Sequence, residues 1–144
     1  IFSMIGASIE GASFLDLCTG SGAMGLEAES RGAQQVVCVD KDIRFLNENI
    51  ALLGATVNGV RSDAIRYLKT LQKGAFDFIY FDPVWADHHM YIAGLTIIFD
   101  NQLVSESGQL FVEHDRSFVI PDQFQPHVTN TKKYGDSLVT VFNC

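Results

Sequence analysis

Two stretches of this chain carry residue types whose chemistry reaches beyond packing. Asp16 to Gly25 reads Asp-Leu-Cys-Thr-Gly-Ser-Gly-Ala-Met-Gly, a glycine-rich turn with a carboxylate just upstream, and Phe76 to Trp85 reads Phe-Asp-Phe-Ile-Tyr-Phe-Asp-Pro-Val-Trp. Gly20, Gly22 and Gly25 satisfy G-x-G-x-x-G, a pattern that dinucleotide sites share. In dinucleotide folds the first glycine closes the strand directly and a pyrophosphate rests on the next helix N-terminus. Here Asp16 to Thr19 intervene, and a carboxylate at that place repels a pyrophosphate but suits the ammonium of a methionine moiety. Asp40, ending the second strand-like run, can accept both ribose hydroxyls, in methyltransferases and NAD enzymes alike. Asp63 follows the third run, where an acceptor can take an adenine amino group. Both aspartates equally suit a helix N-cap.

Asp82-Pro83-Val84-Trp85 follows the fourth run and has the chemistry of an amine site. An exocyclic amine on a nucleobase is a poor nucleophile because its lone pair is delocalised into the ring. Two acceptors, the Asp82 carboxylate and the Pro83 carbonyl, favour a geometry in which the lone pair points out of the plane, and Trp85 offers a face for stacking. The alternative is a turn in which Pro83 ends a buried strand and Trp85 packs on the core. A nucleoside cofactor beside a planar amine predicts S-adenosylmethionine-dependent methyl transfer, since each motif falls at the carboxyl end of a strand, where open α/β sheets bind ligands.

The elements that must position these residues follow from periodicity. Strands are expected at Ser13 to Leu17, Gln35 to Val39, Val57 to Val60, Phe76 to Phe81 and Gln109 to Glu113. Helices are expected at Ala23 to Ser30, about Asp42 to Leu53, Ala64 to Leu71 and Met90 to Phe99. His127 to Lys133 and Ser137 to Phe142 flank Tyr134-Gly135-Asp136 as a hairpin. The alternation predicts an α/β fold with a single doubly wound, mostly parallel seven-stranded sheet ending in an antiparallel hairpin, an arrangement that resembles the Rossmann-like class I methyltransferases.

With 144 residues, 47% of them apolar and 19% charged, the chain is sized for one domain. Its apolar runs are too short or too interrupted to span a bilayer, which predicts a cytoplasmic protein without a membrane partner. A formal charge of −7 counts against electrostatic grip on bare nucleic acid, yet allows RNA presented within a protein-rich particle. Cys18, Cys38 and Cys144 lack metal-ligand spacing and read as buried, inert thiols. Adjacent His88 and His89 do not share a helix face, so no metal is expected, and they read as surface or substrate-loop residues. Glu113-His114-Asp115 has acid-base residue types at a strand end, although a capping or solvated-loop role is favoured. Lys132 and Lys133 form a modest basic spot.

The run from Leu15 to Ala33, closing with Gly-Leu-Glu-Ala-Glu-Ser-Arg-Gly-Ala, resembles the signature of the RsmD family of bacterial methyltransferases, which modify the N2 amine of a guanosine in small-subunit ribosomal RNA. Asn47 to Leu53, Asp63-Ala64, Phe76 to Trp85, Phe111-Val112-Glu113 and Lys133 to Ser137 fall in the family's order. The resemblance implies cofactor contacts at Asp16, Thr19, Gly20, Ser21, Gly22, Asp40 and Asp63, with Lys41 and Ala64 counted beside them. It also implies amine recognition by Asp82, Pro83 and Trp85. The partner it implies is ribosomal RNA within the assembled small subunit, acted on by a monomer.

Two departures stand out. Val84 replaces the family's second proline, which predicts a looser loop and a slower enzyme. The segment Ile1 to Ile5 resembles the helix before the first strand, and the basic arm that precedes it in the family is not in this sequence, so cofactor binding is expected to persist while RNA binding weakens. Other readings stay open: an amine methyltransferase acting on adenine N6, a protein glutamine or a small molecule; a cofactor-binding module whose amine site is impaired; and, disfavoured by Asp16, an NAD-dependent oxidoreductase.

Overall fold

The computed structural model describes residues 1–84 and 87–144. After a short helix, α1 (Phe2–Ile5), and a 3-10 turn, the strands β1 (Ser13–Leu17), β2 (Gln35–Asp40), β3 (Asn58–Arg61), β4 (Phe76–Phe81) and β5 (Val104–His114) alternate with helices. These are α2 (Ala23–Ser30), α3 (Arg44–Leu53), α4 (Ala64–Leu68) and α5 (His88–Asp100). The hairpin β6 (Val128–Tyr134) and β7 (Ser137–Asn143) closes the chain. One seven-stranded sheet results, in the order β3-β2-β1-β4-β5-β7-β6, parallel through β5 and antiparallel at β7 and β6. The chain winds outward from β1 to β3, then returns to the other side of β1 as β4. The switch point therefore lies between β1 and β4, where a crevice must open at the carboxyl ends.

Apolar side chains on both faces explain why the central strands read as continuous hydrophobic runs. Leu15, Leu17, Val37, Val39, Ile79 and Phe81 pack under α4 and α5, against Leu68, Tyr91, Leu95 and Ile98. Phe14, Val36, Cys38, Phe78 and Tyr80 pack under the first three helices, against Ile5, Ala28 and Leu46. Two glycines set how closely helices sit on the sheet. A methyl group at Gly25 would overlap the Cys38 sulfur, and one at Gly94 would overlap the Phe81 ring.

Several element bounds differ from the sequence expectation for local reasons. Helix α3 begins at Arg44 because the Asp42 carboxylate accepts from the Arg44 backbone and guanidinium, folding residues 42–44 into a turn. Helix α4 stops at Leu68, and tighter bonds from Thr70 N–H to the Tyr67 carbonyl and from Leu71 N–H to that of Leu68 take over. Helix α5 starts two residues early because Asp87 caps it, accepting from the Met90 N–H.

Strand β5 is much longer than expected, since its polar start, Ser105 to Gly108, carries no apolar alternation. An irregular register against β4 and a Ser105 hydroxyl on the Asp77 carboxylate hold it there, and a Cβ at Gly108 would overlap the Asp77 carbonyl. A 3-10 segment, Asp122–His127, precedes the hairpin and shifts its first strand to Val128. Among the described residues, no helix is long and apolar enough to cross a membrane.

Candidate active site

Asp16 is the penultimate residue of β1 and 1% exposed. Its Oδ2 accepts from the Thr19 hydroxyl at 2.6 Å and from the Gly25 N–H at 2.9 Å, so this carboxylate ties the glycine turn to the first turn of α2. Burial raises its pKa to about 6, against those two bonds, which lower it. The turn bends sharply. Cys18, Gly20 and Gly22 have φ of 61°, 57° and 86°, and Cys18 holds this left-handed conformation without being glycine, an outlier of the kind that collects at functional sites. Thr19 N–H donates to the Val39 carbonyl, and Asn49 of α3 reaches the Ser21 carbonyl.

Asp40 closes β2 and faces the turn. Its Oδ2 accepts from the Gly20 N–H at 2.9 Å and its Oδ1 from the Asp42 N–H, so it is not a helix cap here. Asp63 is one: it accepts from the Arg66 N–H at the start of α4, while its other oxygen lies 3.7 Å from the Lys41 ammonium. The cap leaves Asp63 at the third strand end, beside Ala64, as the sequence placed it.

Asp82 follows β4, half-buried. Its carboxyl is pushed up to about 7, first by burial, then by the carboxylates of Glu113 and Asp16. The Tyr80 hydroxyl opposes this shift and donates to Glu113 Oε1 at 2.8 Å, so it bears on both acids. Pro83 is buried and Val84 is 76% exposed. The Tyr91 hydroxyl of α5 donates to the Glu113 carbonyl at 3.0 Å and lies 3.5 Å from the Pro83 carbonyl, linking the loop to the end of β5. Trp85 lies outside the described residues.

Part of this set borders one crevice of about 450 Å³, walled by Cys18, Val39, Asp40, Lys41, Ala64, Asp82, Pro83 and Val84, while Asp16, Asp63 and residues 19–22 of the turn lie outside its wall. The Cys18 thiol lies within reach of these acids. Burial pushes its pKa to about 12, helped by Asp40, Asp82, Asp16 and Asp63 together, so the four predicted acids from four strands act on one sulfur. Such a ring attracts a cationic ligand, and the apolar wall of Val39 and Ala64 gives a planar base a place between strand ends. A larger depression, about 770 Å³, lies around Phe99, Phe124 and His127, away from the glycine turn, and carries none of these groups.

Sequence reasoning left several residues out. Tyr80, Tyr91 and Asn49 stand inside apolar or helical patterns that look like packing, and only strand register and the α5 crossing bring the two hydroxyls to the site. Cys18 lines the crevice instead of packing inertly, and Cys144 is exposed, whereas Cys38 is buried. The solvated-loop expectation fails for His114, which is 2% exposed and bonds the Thr140 hydroxyl through Nε2. Glu113 is half-buried, held by Tyr80. His88 opens α5 and packs edge-on against Phe118.

The chain is similar to known proteins in sequence and in fold. A family model described as Conserved hypothetical protein 95 matches residues 1–143. The Bacillus subtilis (strain 168) protein named "Putative rRNA methyltransferase YlbH" is 35% identical over 150 residues, which span 99% of this chain and 81% of that protein. "Ribosomal RNA small subunit methyltransferase D" of Buchnera aphidicola is 29% identical over 107 residues, 72% of this chain and 54% of that one. The solved structure of "Putative methyltransferase yhhF from Escherichia coli" shares the fold, with a TM-score of 0.83 at 24% identity, covering 98% of this chain and 80% of that one.

Proposed function

Because the chain belongs to the family described as Conserved hypothetical protein 95, the RsmD family of methyltransferases, we propose that it methylates the exocyclic N2 amine of a guanosine in small-subunit ribosomal RNA. The chain is an S-adenosylmethionine-dependent methyltransferase of ribosomal RNA; the guanine amine and the small subunit are the further steps of the proposal. One observation carries the reading: Asp40 and Asp82, from the ends of β2 and β4, line one crevice with Cys18 of the left-handed turn and with Pro83, while Asp16 and Asp63 stand close enough to act on the Cys18 thiol.

The residues present fit the cofactor. Gly20 has no heavy atom near the place of a Cβ, so a ligand can approach its backbone directly. Asp16 uses Oδ2 for the turn, and among the described residues Oδ1 has no protein partner, leaving an acceptor for an ammonium. Asp40 reaches the ribose side, Lys41 and Ala64 border the base, Asp63 takes an amino group, and Thr19, Ser21 and Gly22 shape the turn. When bound, S-adenosylmethionine supplies a methyl carbon on a sulfonium, which the amine nitrogen takes as the carbon–sulfur bond breaks.

Asp82 and the Pro83 carbonyl accept the two amine hydrogens and turn the lone pair toward that carbon. The amine becomes acidic only as the new bond forms, and its proton passes to Asp82 or to water. An acceptor whose pKa stands near neutrality is matched to that duty. Positioning and electrostatics by these groups supply the rate enhancement.

The test is transfer of labelled methyl from S-adenosylmethionine to small ribosomal subunits lacking the modification, followed by nucleoside digestion. Label in N2-methylguanosine is the expected result. Label in another nucleoside or in protein would overturn the guanine assignment while leaving the cofactor half standing.

A further inference from the structure

An Asp carboxylate and a backbone carbonyl bind any exocyclic amine, adenine N6 as well as guanine N2, so these two acceptors alone do not choose a base. The two purines differ beside the amine. On the Watson–Crick edge guanine places an N1–H donor next to its N2 amine, whereas adenine places a bare N1 acceptor next to its N6 amine. A second fixed acceptor alongside Asp82 therefore favours guanine and repels adenine.

We propose that Glu113 is that acceptor: a specificity-determining residue that reads the guanine N1–H, with Tyr80 as the positioning residue that aims it. The inference rests on the guanine N2 reading and deepens it. Phe81 pairs with Val112 in the parallel ladder, so Asp82 and Glu113 stand side by side just beyond the last paired row, about 5 Å apart at the backbone. The Tyr80 hydroxyl donates to Glu113 Oε1 at 2.8 Å, and among the described residues Oε2 has no partner. The Tyr91 hydroxyl holds the Glu113 backbone through its carbonyl at 3.0 Å, which fixes the residue from a second element. The Glu113 carboxylate adds to the cost of ionising Asp82, a cost that a base edge offering a hydrogen to Asp82 offsets.

The test uses RNA with guanosine or 2-aminopurine at the target position. 2-Aminopurine keeps the 2-amine but has no hydrogen on N1. The wild-type chain is expected to prefer guanosine in single-turnover methyl transfer and in RNA affinity by about 10–100-fold, the range of one good base contact. In E113Q the Tyr80 hydroxyl keeps the amide oxygen, and the amide nitrogen faces N1 as a donor. The preference should then collapse or invert toward 2-aminopurine, with cofactor affinity unchanged as the control for folding. An unchanged preference in E113Q would overturn the role of Glu113 while the wild-type product remained N2-methylguanosine. A wild-type product other than N2-methylguanosine would instead overturn the guanine reading, and this inference with it.

Discussion

Asp82 is held at a cost. Tyr80 lowers its pKa, but burial, Glu113 and Asp16 prevail and raise it from 3.8 to about 7. A raised carboxyl favours the folded chain at low pH, and that advantage is lost as pH rises from the unfolded value toward the folded one. Replacing Asp82 by Asn removes the charge, keeps the side-chain size and leaves the Tyr80 hydroxyl on Glu113. D82N is therefore expected to raise the melting temperature of the cofactor-free chain at pH 8, with the gain shrinking below pH 7 and vanishing below about pH 4, as scanning calorimetry across pH would show. The same variant should lose methyl transfer by roughly 100-fold or more, since an amide offers one acceptor where a carboxylate offers charge. Transfer itself should rise with pH as Asp82 ionises. The bound sulfonium draws that limb below pH 7, and E113Q should draw it lower still in a pH–rate profile. Val84 calls for a different measurement. It is exposed, and its N–H donates to no described residue, so proline there costs no described hydrogen bond. V84P should stiffen the loop by about 0.4–1 kcal/mol and raise turnover with cofactor affinity unchanged. Equal turnover would show that the loop is already set by Pro83 and by Tyr91.

At the scale of elements, the strands that carry the site were legible because burial on both faces gives runs such as Phe78 to Phe81 that little else resembles. The glycine turn and the Asp-Pro loop were legible because their residue types are costly anywhere else. What stayed hidden depended on register. Nothing in the spacing of Tyr80 and Glu113 says that they meet; the β4–β5 pairing does. The first half of β5 hid because Ser105, Glu106 and Ser107 look like a loop, although Asp77 bonds Ser105 and leaves room only for glycine at Gly108. Asp63 is a helix cap at a strand end where the ligand role is also expected, so residue type alone could not separate the two readings. Gly25 shows how an element transmits its position to the site. Its missing side chain lets α2 rest on Cys38, and its N–H anchors Asp16. G25A should lower stability by about 1–3 kcal/mol in urea titration, the ordinary cost of overpacking. It should also weaken cofactor affinity, because the helix must lift from the carboxylate that shapes the turn. A stability loss with cofactor affinity intact would assign Gly25 to packing alone.

The whole molecule carries a formal charge of −7, and an RNA substrate must be met locally by the few cations near the crevice. Lys41 lines it, and the hairpin at the sheet edge carries two more cations. Lys132 and Lys133 pair with Val139 and Leu138, which in turn pair with Glu113 and His114, so the lysines stand two strands, roughly 10 Å, from the carboxyl end of β5. Both are exposed on the edge strand, and neither forms a salt bridge with a described residue. Edge lysines have another use, since they discourage strand-to-strand aggregation, and sequence cannot tell that duty from phosphate binding. Salt dependence can. If both lysines touch phosphates, K132A/K133A should weaken RNA binding and flatten the slope of log affinity against log salt by about 1.4, two contacts at roughly 0.7 each for single-stranded RNA. Cofactor affinity should not change, because Gly20, Asp40 and Asp82 lie across the sheet from the hairpin. An unchanged slope with new self-association would assign the lysines to protecting the edge, and the docking of RNA would then fall to Arg61, at the end of β3, and Arg116, two residues past β5.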